Sequence, residues 1–379
     1  MEEAGCRPLD SNLLIVSKLG TGYGAAQKWT DPVGAKSPPI DLLTTLARFG
    51  RDQRMSLRDP NLGDLFAGVA KEQLAAALAN DALLHGHRTQ KMFEALVVSL
   101  GQYELLKTED TGVVHPSGKY TAPDFRAVLD GGAQWLIEVK NVYDKNAARQ
   151  RFRIREQDVA QLRRYADKVQ CPLKFALYWG RWHTWTLIDA NVLTRVGSKV
   201  GIDMFKAVPL NELSRLGDRM IGTKPPLKLR FIADPSKPRS VSPDGKARMR
   251  IGGTAIYCGN VELTDPIDRN TAWILMEFGE WTDGEPRAIV NGAKLEAIEI
   301  QWKPLHRSNE SEEFEIVGSL SSMFSQYYAT FTLGEHGVTQ TEANLVPGLF
   351  APLVATDSPS IALPLWRFSI QPNNLEKPP

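Results

Sequence analysis

Apolar residues along the chain change their period near residue 103, from helical to strand-like spacing. Before that point Ser37-Pro38-Pro39 opens a helical run over residues 40–49, which Gly50 closes. A second run covers residues 62–84 and is dense in Ala and Leu. A third begins near Thr89, with Phe93, Leu96, Val97 and Leu100 spaced i, i+3, i+4, i+7. From Tyr103 the runs shorten to residues 103–106, 122–129 and 135–139, separated by Gly and Pro turn signals, and these predict strands. Helical spacing returns over 157–169, and 174–179 and 184–188 read as two strands joined by Gly180-Arg181.

The remainder is mostly β in pattern. Strands are expected at 228–233, 248–257, 272–278, 295–302, 314–317 and 366–370, with a loop at 234–245 and one buried helix over 320–331. Gly222-Thr223-Lys224-Pro225-Pro226 predicts a domain boundary. A chain of 379 residues should hold two or three domains. The expected division is a mainly helical region 1–84, a core 85–190, a connector 191–221 and a β-rich domain 222–379. No repeat of fixed period is present.

Composition narrows the classes. The formal charge of +1 excludes a chain-wide basic character, so any nucleic-acid site must be a local patch. Cys6, Cys171 and Cys258 are scattered and far from CxxC spacing, which argues against a disulfide scaffold or a zinc site and makes the cytoplasm the expected location. The start Met1-Glu2-Glu3 is acidic and the apolar stretch 13–16 is too short for a signal-peptide core, so the mature chain is expected to begin near Met1. Residues 317–334 are too polar for a bilayer, and 345–355 is broken by Pro347 and Pro352, so no membrane partner is expected.

The most informative segment runs from Tyr120 to Lys140. Asp130-Gly131-Gly132 is a hairpin turn signal, and a hairpin centred on Gly131 sets Asp124 opposite Glu138. Strand alternation puts Lys140 on the face of Glu138. Facing carboxylates repel unless a cation lies between them. With oxygen ligands only, such a site suits Mg²⁺ or Mn²⁺ rather than Zn²⁺. Lys140 beside that ion could position or deprotonate a water and offset charge on a phosphate, which implies phosphodiester hydrolysis.

Pro123-Asp124 followed by Glu138-Val139-Lys140 after an apolar strand resembles the PD-(D/E)XK nuclease superfamily of restriction-endonuclease-like enzymes. Two neighbours extend the resemblance: Glu94 on the preceding helix, and Gln161-Leu162-Arg163-Arg164-Tyr165 on the following one, with Gln157 a turn earlier. It covers residues 85–190. It implies an α+β fold with an αβββαβ core, here carrying a mainly helical N-terminal extension and a β-rich C-terminal domain. It also implies Asp124, Glu138 and the Val139 carbonyl as metal ligands, Glu94 as an outer ligand, Lys140 as catalytic and Gln161 as orienting water or Lys140. The implied activity is metal-dependent cleavage of DNA, with RNA the lesser expectation, in a restriction or anti-phage defence setting by fold-level analogy.

Lys145, Arg149, Arg151, Arg153 and Arg155 place five positive charges and no acid in eleven residues directly after Lys140, a pattern suited to phosphate contacts. The bland alternative is a charged helix face. Gly20-Thr-Gly-Tyr-Gly24 lacks the Gly-Lys-Ser/Thr of a phosphate loop. His85-Gly86-His87 reads as a polar helix start, and His183 as an exposed turn or strand residue. Two other function classes stay open: a non-catalytic nucleic-acid-binding module of the same fold, against which the intact Asp124, Glu138 and Lys140 speak, and a two-carboxylate glycosidase, which would need neither Lys140 nor the arginines. The C-terminal half has no motif tied to chemistry, and recognition of sequence, sensing of a ligand or partner, and a homodimer interface are open to it.

Overall fold

The computed structural model describes residues 38–109, 118–243, 245–292, 294–305, 314–346, 348–355 and 360–372. The Gly20–Gly24 segment and Cys6 lie outside them. Three helices open the described chain: α1 (Pro38–Asp52), α2 (Leu62–Leu78) and α3 (Asp81–Leu100). Gly50 lies inside α1, two residues before its end, and the Leu62 side chain packs close to where a Cβ would stand. The long run at 62–84 is two helices. Asn80 breaks it, its side chain accepting from the Leu83 N–H as the N-cap of α3. His85-Gly86-His87 is therefore in the second turn of α3 and not at a helix start. Gly101, at φ 70°, closes α3 in the left-handed conformation.

A five-stranded sheet follows, built from β1 (Leu105–Thr108), β2 (Phe125–Val128), β3 (Gln134–Val142), β5 (Leu173–Trp179) and β6 (Thr184–Asp189), in the spatial order β1-β2-β3-β5-β6. Between β3 and β5 the chain forms β4 (Arg151–Arg155) and α4 (Glu156–Lys168), which carry it back so that β5 runs parallel to β3. The β2–β3 hairpin has the register expected for a turn centred on Gly131: Phe125 pairs with Ile137, Arg126 with Leu136 and Val128 with Gln134. Gly131 and Gly132 stand at φ 87° and 82°, a region that a Cβ disfavours.

Alternation along β3 sorts its side chains between two interiors. Trp135, Ile137 and Val139 join Phe93, Leu96 and Val97 of α3 in one core. Leu136 and Val142 join Val159 and Leu162 of α4 in the other. Strand β4 was not expected, nor its partners β7 (Thr194–Val196) and β8 (Lys199–Asp203); together they form a small sheet, β4-β8-β7, over the α4 side.

From residue 220 on, the strands that build the framework include β9 (Met220–Thr223), β10 (Leu227–Ala233), β11 (Ile251–Cys258), β12 (Lys294–Pro304), β13 (Glu315–Ser319) and β14 (Leu365–Phe368), with helices α5 (Pro266–Phe278) and α6 (Leu320–Thr332). The expected strand at 272–278 is the end of α5. Asp265 caps that helix by accepting from the Ile267 and Asp268 N–H groups, ahead of Pro266 at its first turn. The apolar run Ala272-Trp-Ile-Leu-Met has no period to tell strand from helix, and the cap decides it. Gly222 and Thr223 are the end of β9, paired to both β13 and β14, rather than a linker. Helix α6 packs beside α3 on the five-stranded sheet, where the Trp185 indole donates to Ser325 Oγ at 2.8 Å. One apolar cluster thus runs through both halves of the molecule. Among the described residues no helix is long and apolar enough to cross a membrane.

Candidate active site

Strand β3 continues through residues 138–142 past its last pair with β2, and this overhang builds the site. A backbone N–H freed there needs an acceptor. The Val139 N–H finds one in Asp124 Oδ2, at 2.6 Å. Asp124 stands just before β2, and its other oxygen accepts from the Gln90 amide of α3 at 3.2 Å. Asp124 is thereby fixed from two sides at the open end of the hairpin.

Glu138 and Lys140 share the face of β3 that looks toward α4. Lys140 Nζ donates to Glu138 Oε1 at 2.5 Å, and Glu138 is only 8% exposed. Burial pulls the Lys140 ammonium down, but Glu138, Asp124 and Asp158 together outweigh it and hold its pKa above the ordinary lysine value. At neutral pH Lys140 is a cation, and it supplies the positive charge that the paired carboxylates require. In this state Lys140 has no lone pair with which to take a proton from water.

The remaining expected residues fall around this centre at different removes. Glu94 lies one turn from Gln90 on α3, and its carboxylate is engaged by Lys91 at 3.2 Å; α3 packs on the face of β3 opposite to Glu138 and Lys140. Gln161 Oε1 accepts from Thr121 Oγ1 at 3.1 Å, so it steadies the segment leading into Asp124 rather than contacting Lys140. Tyr165 from the same motif donates to Glu109 Oε1, which Arg126 also contacts. Gln157 is exposed. Two participants escaped the sequence reading. Gln90 was signalled by its i, i+4 spacing from Glu94, and Asp158 by its place in the first turn of α4, three residues after Arg155, which donates to it at 2.8 Å.

Among the described residues no three of His, Cys, Asp and Glu group closely enough to form a metal cluster of their own. The donor chemistry nevertheless suits a hard dication, which commonly takes one or two carboxylates and completes its shell with water and substrate oxygen. Lys145, Arg149, Arg151, Arg153 and Arg155 are all exposed. They lie on a turn and a strand, not on a helix: along β4 the arginines alternate with buried Phe152 and half-buried Ile154. His183 is a turn residue, half-buried rather than exposed, at φ 49°, with its Nδ1 2.9 Å from the Tyr178 hydroxyl.

No family model matches the chain, and no curated protein matches it. Among solved structures, one third of the chain (33%) aligns with 93% of Hjc, a Holliday junction resolvase from the archaeal hyperthermophile Archaeoglobus fulgidus, at 21% identity and a TM-score of 0.27.

Proposed function

We propose that this chain is a metal-dependent nuclease of the PD-(D/E)XK type that hydrolyses phosphodiester bonds in DNA, with its catalytic core in residues 85–190. The observation that carries the reading is the convergence of Asp124, Glu138 and Lys140 at the open end of one hairpin, with the amine clamped on a buried carboxylate. Asp124, Glu138 and the Val139 carbonyl would hold Mg²⁺ or Mn²⁺. When bound, such an ion polarises a phosphoryl oxygen and makes water a nucleophile near neutral pH. Lys140 lies where it can offset charge developing on the phosphate, and Gln90 and the Val139 N–H fix the Asp124 carboxylate. The arginines of β4 supply phosphate contacts that hold substrate without entering the chemistry.

The test is a digestion panel of linear, circular, single-stranded and modified DNA, and RNA, with Mg²⁺, Mn²⁺, Ca²⁺ or chelator. Cleavage with Mg²⁺ or Mn²⁺ that is lost with Ca²⁺, with chelator and in Lys140→Ala is expected. Intact substrates under every metal would overturn the reading.

A further inference from the structure

Among the described residues the three most exposed aromatic rings are Phe205, Tyr143 and Trp182, at 65%, 63% and 49%. All three border the basic strand. Tyr143 follows the end of β3, and its ring lies against Gly180. The Gly180 N–H donates to the Val142 carbonyl at 2.9 Å, the Arg181 N–H to Gln150 Oε1 at 3.1 Å, and the Trp182 indole to the Ala147 carbonyl at 3.2 Å. The β5–β6 turn is thereby fastened to the segment that carries Lys145 and Arg149. Phe205 lies two residues beyond Asp203, the cross-strand partner of Arg151.

On β4 itself Arg151, Arg153 and Arg155 project on one side at a two-residue repeat of about 6.7 Å, close to the step between neighbouring phosphates of one strand. Gly201, the cross-strand partner of Arg153, has no side chain, and a Cβ there would strike the Phe152 carbonyl, so no side chain stands opposite the middle arginine. Arg155 is engaged by Asp158, close to Lys140, so this row of cations leads toward the proposed catalytic centre.

Phosphate contacts alone need no aromatic rings, and a duplex hides the faces of its bases. A basic track bordered by exposed rings is the combination that single strands use, the backbone on the cations and the bases stacked on the rings. We propose that this surface binds a single-stranded segment of DNA, its phosphates on Arg149, Arg151 and Arg153 and its bases on Tyr143 and Trp182. The proposal deepens the nuclease reading and rests on it for the identity of the polymer. It makes the substrate a strand that is single, or locally unpaired, beside the bond that is cut.

Binding is measured on the full chain in chelator, so that cleavage does not intrude, by fluorescence anisotropy of a labelled single-stranded oligonucleotide and of the blunt duplex of the same sequence. The single strand should bind at least about tenfold more tightly. Trp182→Ala and Tyr143→Ala should each weaken single-strand binding roughly 5- to 100-fold and leave duplex binding unchanged, while Trp182→Phe retains most of the affinity. Changing Arg149, Arg151 and Arg153 together to Gln should reduce the salt slope for the single strand by about two units. Equal or tighter duplex binding by the wild type overturns the proposal, as does an equal loss for both substrates in Trp182→Ala. If Mg²⁺-dependent cleavage persists while the aromatic variants bind single strands like wild type, this surface is refuted and the nuclease reading stands. If the aromatic variants lose single-strand binding and no metal supports cleavage, the reverse holds.

Discussion

Two buried ion pairs in this molecule look alike and differ in what surrounds them. On β3, Glu138 is held by Lys140 two residues along the same strand, at 2.5 Å. In the C-terminal half, Glu299 of β12 is held by Arg230, its direct cross-strand partner on β10, at 2.6 Å. Gln301 also donates to Glu299, and the Arg230 guanidinium lies over the Tyr257 ring at 4.3 Å. Burial alone would raise the Glu299 carboxyl, but these contacts hold it below its ordinary pKa, so the pair is compensated. At Lys140, by contrast, three carboxylates act on one amine, and one of them, Asp158, is also engaged by Arg155. Several carboxylates gathered around one amine, rather than one acid matched to one cation, distinguish a candidate site from a structural pair.

The largest test of this contrast is catalytic. Asp124→Ala, Glu138→Gln and Lys140→Ala should each lower turnover on DNA by roughly 10²–10⁴-fold, since each removes a group from the proposed reacting centre. Glu299→Gln should leave turnover within a few-fold of wild type. Loss of activity in a folded Glu299 variant would erase the distinction.

Stability should show the opposite ranking. Arg230→Ala leaves Glu299 buried without its cation and should cost about 3 kcal/mol, at the low end for a broken buried pair because Arg230 is a third exposed. Glu138→Gln removes one of the several carboxylates gathered around Lys140 and should cost nothing, or stabilise by up to about 1 kcal/mol. Urea unfolding of the two variants measures both. A marked destabilisation by Glu138→Gln would mean that its pair with Lys140 is structural.

How far the sequence reveals this arrangement follows from which forces act locally. The hairpin register, Lys140 beside Glu138, and the helices over 157–169 and 320–331 rest on turn glycines and clear periods, which are local. Glu94 shows the limit: its spacing from the hairpin fits the motif, but only the packing of α3 against Ile137 and Val139 decides which face of β3 it serves. Strand β4 was hidden because its alternation of Arg with Phe152 and Ile154 reads first as a charge run. The end of α5 was hidden because its apolar run has no period. The shared core was out of reach, since the contact of Trp185 with Ser325 spans 140 positions.

A third test turns on Asp218, at the junction of the two halves. It is buried, accepts from the Ser321 N–H and hydroxyl at 3.0 and 2.8 Å, and so ties the segment before β9 to the first turn of α6. Burial pushes its carboxyl up to about 6, and the Ser321 hydrogen bonds only partly offset this. A folded pKa above the unfolded value means that the protonated form favours the fold, so this contribution is present at low pH and is lost as pH rises through 6. Wild type should lose about 2 kcal/mol from this group between pH 4 and pH 6, and Asp218→Asn should lack that component of the slope. Identical pH profiles for the two proteins would show that Asp218 ionises as it does in the unfolded chain.

The smallest expected effect bears on the metal and separates the two pairs without any substrate. An ion that binds only the folded state adds stability according to its concentration relative to Kd, about 1.4 kcal/mol at ten times Kd. For a chain of this length that is a rise in Tm of about 1–2 °C. Mg²⁺ or Mn²⁺ should produce it in wild type and in Glu299→Gln, and should fail to do so in Asp124→Asn combined with Glu138→Gln. Lys140→Ala should strengthen the effect, because the ammonium that occupies Glu138 Oε1 competes with the ion for the same oxygen. Calorimetric titration of the folded variants gives the same ranking independently of heating. A metal response that survives the double carboxylate variant would place the ion elsewhere, and Asp124 and Glu138 would not be its ligands.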